Sequence, residues 1–153
     1  MPVTETAMPV PDRLIISPPV LRNAAETSSG VGFAVSAMAN GYVDFSESPD
    51  MSGAKRVKCG GFRVTDMNDK VMLVRLTGLK PATTYYYRIG ADRIAYGGGY
   101  DMKIIGAESD PRVYSFKTLG ADAGSSFCVI NDTHAQMKPF GMAIDKIAAL
   151  RPS

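Results

Sequence analysis

Apolar residues enter this chain in short bursts separated by turn formers. Leu14, Ile15 and Ile16 open the first burst, Ser17-Pro18-Pro19 interrupts it, and residues 20–25 resume it. Phe33 and Val35 share a face within 32–36, and Tyr42, Val43 and Phe45 fill 41–46. The pair Asn40-Gly41 before that run reads as a hairpin turn, and Ser48-Pro49-Asp50 as another. Weaker strands are expected at 55–59 and 61–64 around Gly60-Gly61, followed by a polar turn at Met67-Asn68-Asp69. Residues 71–76 and 85–89 are rich in β-formers. Gly97-Gly98-Gly99 marks a hairpin loop, and strands at 102–105 and 113–118 follow. Many short strands with glycine and proline turns predict an antiparallel sandwich or barrel over residues 13–119. Pro2, Pro9 and Pro11 make residues 1–12 an extended, loose arm.

The pattern changes after residue 119. Residues 120–126 are small and polar, as in a linker. Phe127 to Ile130 is an apolar strand, and Phe140, Ile144, Ile147 and Ala148 recur at helical spacing within a helix expected at 139–150. Pro139 suits its first turn. One strand and one helix are half of a βαβ unit, and a strand apolar on both faces wants parallel neighbours and helical cover. Docking of that strand on the sandwich is the alternative.

Composition narrows the function classes. The 153 residues are 45% hydrophobic and 21% charged, with a formal net charge of +2. That balance, without a dense basic cluster, gives no reason to expect nucleic-acid affinity. Lys55, Arg56 and Lys58 read as the solvated side of a strand. No apolar run is long enough to cross a bilayer, and the first residues lack the pattern of an intact signal peptide. Of two cysteines, Cys128 sits in an apolar run, which predicts a reduced, buried thiol; pairing with Cys59 is the alternative.

The stretch from Leu76 to Tyr85 has a physical reading of its own. A strand ends at Leu76, Gly78 turns, Leu79 plugs the core, Pro81 stiffens the corner, and Tyr85 starts the next strand. Tyr85, Tyr87 and Ile89 then share one face, Tyr86 and Arg88 the other. A tyrosine placed there can bond back to the corner backbone. Leu79, Pro81, Thr83 and Tyr85 closely resemble the fibronectin type III signature, although the early tryptophan of that family is missing. The resemblance covers about residues 19–119 and implies a fibronectin type III-like β-sandwich.

Chemistry concentrates in Phe127 to His134. In extended backbone, residues two apart face the same way, so Asp132 and His134, the only histidine, can meet one cation at a strand's carboxyl end. Asn131 and Thr133 face otherwise or support the turn, and Asn131-Asp132-Thr133 also has the form of a glycosylation acceptor. This stretch resembles the opening strand and Asp-x-His motif of the calcineurin-like metallophosphoesterases, which include the purple acid phosphatases. A sandwich ahead of it, ending in a strand like Tyr114 to Thr118, resembles the domain order of that family.

The resemblance implies that Asp132 and His134 ligate the first of two metal ions, iron, zinc or manganese. A hydroxide activated by both ions would attack a phosphate ester. The remaining ligands are absent, so residues 127–153 are expected to be the first β–α unit of a truncated catalytic domain. The chain alone is then an inactive N-terminal part of a hydrolase that needs its missing C-terminal domain. The family further suggests a periplasmic or secreted setting. The alternative function is a non-catalytic binding or adhesion module.

Overall fold

The computed structural model describes residues 12–59, 70–121, 128–130 and 137–150. The chain divides into two units, Met1–Ala121 and Asp122–Ser153. In the first, β1 (Val20–Arg22), β2 (Ser28–Ala34) and β5 (Val71–Thr77) form one sheet in the order β1-β2-β5. The second sheet contains β3 (Ala39–Ser46), β4 (Lys55–Lys58), β6 (Thr84–Gly98), β7 (Asp101–Ser109) and β8 (Tyr114–Lys117). Its order is β4-β3-β6-β7, and β8 joins the start of β6. Because β7 and β8 lie in succession along one side of β6, this sheet is four strands wide. All pairings are antiparallel. Three strands facing four is the expected fibronectin type III-like arrangement.

Strict alternation creates the core. β5 reads Val-Met-Leu-Val-Arg-Leu-Thr, so Met72, Val74 and Leu76 turn inward while Leu73, Arg75 and Thr77 face water. They meet Val31 and Phe33 from β2 and Val43, Tyr85, Tyr87 and Ile89 from the opposite sheet. Burying each such side chain contributes about 1.5–3 kcal/mol. Tyr85 stacks on Phe116 at 5.8 Å and meets Phe45 edge-on at 5.9 Å. Leu14 and Ile15 are also buried, with Ile15 bridging to Val35.

Two expectations change here. Asn40-Gly41 is not a turn but lies inside β3. A Cβ on Gly41 would stand 2.6 Å from the Met72 side chain, so this glycine allows the two sheets to approach. β6 continues to Gly98, well past Ile89, and Gly90 leaves room on its outer face for a side chain of the neighbouring strand. There the Tyr42 ring lies over it, where a Cβ would come within 2.1 Å. The hairpin expected at Gly97-Gly98-Gly99 does form: the chain turns through Gly99 and Tyr100, and the φ values of 100° at Gly98 and 56° at Gly99 favour glycine. The weak strand expected at 61–64, the turn at 67–69 and nearly all of the N-terminal arm lie outside the described residues.

In the second unit, α1 (Met137–Leu150) forms as expected and places Pro139 in its first turn, where the missing N–H costs nothing. Phe140, Met142, Ile144 and Leu150 are exposed. Cys128, Val129 and Ile130 belong to no strand and are exposed. A segment apolar on both faces becomes a strand only where neighbours complete its ladder. The thiol expectation is corrected for one residue: Cys59 is buried and free, but Cys128 is exposed and free.

Candidate functional site

Asp132 and His134, with Asn131 and Thr133, lie outside the described residues. Among the described residues no group of three or more His, Cys, Asp or Glu could hold a metal ion. One carboxylate and one imidazole match iron, zinc or manganese in donor type. Two donors remain fewer than the three protein ligands typical of catalytic zinc sites.

The structure does describe the corner of the sandwich. Gly78 takes φ 69°, and Leu79 then drops into the core. The Tyr85 hydroxyl accepts a hydrogen bond from the Lys80 amide at 2.9 Å, the bond expected of a corner tyrosine. Pro81 sits at the exposed apex, and the Thr83 hydroxyl donates to its carbonyl at 2.8 Å. The Thr118 hydroxyl donates to the Lys80 carbonyl at 2.6 Å and accepts from the Thr83 amide at 2.9 Å. The Thr118 amide donates to the Thr83 carbonyl at 3.0 Å, and the Ala82 amide to the Leu119 carbonyl at 3.0 Å. The Leu119 amide reaches the Ala25 carbonyl at 3.2 Å. The corner therefore fastens the last residues of the sandwich.

Sequence reasoning missed a second polar cluster, Asp110, Arg112 and Tyr114, where β7 gives way to β8. Asp110 is 1% exposed, and its amide donates to the Ile89 carbonyl at 2.9 Å. Its carboxylate accepts from Arg112 NH2 at 2.7 Å, from the Arg112 amide at 3.0 Å and from the Tyr114 hydroxyl at 2.9 Å. The Arg112 hydrogen bond foremost holds its pKa down to about 2. Burial pushes Tyr87, beside Tyr114, up to about 12. The available signal was an Asp-x-Arg-x-Tyr alternation that interrupts a strand. Both oxygens of the Asp110 carboxylate are engaged within the cluster, so it serves as a brace.

Arg56 of β4 is a brace as well. Arg56 makes two 2.7 Å bonds to Asp44 while lying 3.7 Å above the Tyr42 ring. Asp50, whose carboxylate accepts from Ser52 N and Ser48 Oγ at 2.8 Å, has a pKa lowered to about 2, chiefly by the Ser52 bond. A groove of about 750 Å³ opens beside this turn, lined by Phe45, Glu47, Lys55, Arg56, Lys80 and Tyr85. Lys80 is engaged there by Glu47 at 2.9 Å.

The fold and its corner define the class, a fibronectin type III-like β-sandwich. No family model and no curated protein matches the chain. Among solved structures, PhoD is similar with a TM-score of 0.51 and 14% identity, over 78% of this chain. The match spans only 22% of the PhoD chain. A computationally redesigned β-sandwich protein is similar with a TM-score of 0.42 and 22% identity, covering 71% of this chain and 100% of that one. The sensor domain of the anti-sigma factor RsgI4 in Pseudobacteroides cellulosolvens gives 0.44 and 16%, covering 74% of this chain and 81% of that one. The likeness to PhoD is one of fold.

Proposed function

We propose that this chain is the N-terminal part of a metal-dependent phosphoesterase, with a sandwich leading into the first β–α unit of its catalytic domain. The observation that carries this reading is an order along the chain. An antiparallel sandwich closes at β8, Asp132-Thr133-His134 follows, and then α1 begins. PhoD, whose fold is similar over 78% of this chain, is a metallophosphoesterase, which supports the same reading.

Asp132 and His134 would bind the first of two ions by carboxylate and imidazole, with Asn131 and Thr133 supporting the turn. Donors beyond these residues would complete the pair. When bound, the ions supply Lewis acidity toward the phosphate ester and a nucleophile at neutral pH. The role of α1 is cover. A helix of 14 residues is marginal alone in water, and its exposed Phe140 and Ile144 fit the face of a sheet in the parent.

The parent, purified with its metals, is expected to hydrolyse p-nitrophenyl phosphate or its bis-ester. His134→Ala should lower metal content and kcat by more than the roughly 100-fold that losing a mere supporting partner of a ligand costs. Unchanged activity and metal content in that variant would sink the ligand assignment. The 153-residue chain alone is expected to show no turnover. Turnover by a pure preparation of it would overturn the fragment reading.

A further inference from the structure

The β6–β7 hairpin outruns the sandwich. The last pair between β3 and β6 is Ala39 with Arg93, and the Ile94 amide makes one more bond, to the Met38 carbonyl at 2.9 Å. Beyond that point β6 pairs only with β7, through Ile94–Ile104, Ala95–Lys103, Tyr96–Met102 and Gly98–Asp101. A two-stranded ribbon without cover is marginal in water.

Among the described residues of the sandwich unit, this ribbon gathers several exposed apolar side chains. Tyr100 is fully exposed at the apex, and Ile104, Ile105 and Tyr96 are 63, 60 and 42% exposed. From Ala95 to Ala107 the only charged residues are Asp101 and Lys103, which pair with each other at 3.3 Å. The segment is therefore neutral and free of unpaired charge, in a chain that is 21% charged.

We propose that the tip of this ribbon is a lipid-surface contact, with Tyr96, Tyr100, Ile104 and Ile105 entering the interfacial layer of a bilayer. Three features select a lipid surface over a protein partner. The apolar residues do not gather into one flat patch. Tyr96 and Ile104 share a face, Ile105 occupies the bulge beside it, and Tyr100 caps the apex. A protein partner covers one side of a protrusion, whereas a fluid interface surrounds it. Tyrosine has an apolar body and a polar tip, the chemistry that favours the headgroup level. Depth agrees as well. Four or five residues beyond the last β3 pair reach about 15 Å, enough to cross a headgroup layer of about 7 Å. The open backbone edges of the ribbon stop it there, because unpaired N–H and C=O groups do not enter hydrocarbon.

The test exploits a chain without tryptophan. Tyr100→Trp in the full chain places a single reporter at the apex. Mixed with vesicles of phosphatidylcholine and phosphatidylglycerol, its emission is expected to shift to the blue and to be quenched by brominated lipid. Ile104→Ser with Ile105→Ser should weaken vesicle cosedimentation by about tenfold or more. Both sites are exposed, so the thermal unfolding midpoint should hold and separate lost contact from lost fold. Emission that stays water-like with vesicles overturns the proposal. So does a blue shift that grows with protein concentration without lipid, which would assign the ribbon to self-association. Either failure leaves the phosphoesterase reading untouched.

Discussion

β6 is one strand with two environments. Its first half, from Thr84 to Ala91, lies between β3 on one side and β8, then β7, on the other, and buries Tyr85, Tyr87, Ile89 and Ala91. Its last residues, from Ala95 to Gly98, have the ladder to β7 and almost nothing else. Both halves satisfy backbone hydrogen bonds, but only the first also removes apolar surface from water. A net hydrogen bond contributes about 1 kcal/mol, a buried aromatic or branched side chain about 1.5–3. Ladders thus set the path of the chain, while burial decides which part of it holds the fold.

The largest effect expected from this contrast is between two aliphatic truncations. Leu76→Ala, at a position with 0% exposure, should cost about 2–5 kcal/mol in urea unfolding. Ile104→Ala on the ribbon should stay within about 0.5 kcal/mol. Similar losses at both positions would break the comparison.

A smaller effect tests the joint between the halves. Asp110 has a folded pKa lowered to about 2 from the usual 3.8. A lowered folded pKa stabilises above the unfolded value, so the contribution is complete at neutral pH and fades as pH falls from about 4 towards 2. Asp110→Asn should cost about 1–2 kcal/mol at neutral pH, a figure trimmed because the Arg112 side chain is 59% exposed. It should also flatten the acid limb of a stability-against-pH profile between pH 4 and 2. An acid limb identical to that of the parent protein would show that Asp110 is not its source.

The smallest effect concerns the corner. Tyr85→Phe keeps the buried ring but leaves the Lys80 amide without its 2.9 Å acceptor. The expected cost is about 1 kcal/mol, read as a lower denaturation midpoint at unchanged slope. Tyr100→Phe, with a hydroxyl in open water, is the matched control and should leave the midpoint in place.

The corner was the most legible part of the sequence, because Leu79, Pro81, Thr83 and Tyr85 each act locally. Their partners lie within a few residues or at one strand end. β5 was legible for a similar reason, as alternation alone fixes its faces. Glycines misled where their reason was distant. Gly41 answers to Met72 across the core and Gly90 to Tyr42 on the neighbouring strand, so both read as punctuation until the sheets are assembled. Asp110 was missed because its one local signal, the Asp-x-Arg-x-Tyr spacing, does not by itself tell a buried, satisfied carboxylate from a turn aspartate. At the candidate metal site, the donor types are legible in Asp132 and His134. Their convergence depends on residues that local sequence cannot place.

The fastening of Thr118 and Leu119 has a mechanical consequence. Leu119 bonds to Ala25, next to the three-stranded sheet, and to Ala82, at the corner, while Thr118 bonds to Thr83 and Lys80. Tension applied through the following residues therefore loads several bonds anchored at different points of the sandwich together. Peeling β8 from its end first requires the bonds of Leu119 and Thr118 to give way. The sandwich should act as a stiff handle, transmitting a pull up to the force at which the whole clasp yields.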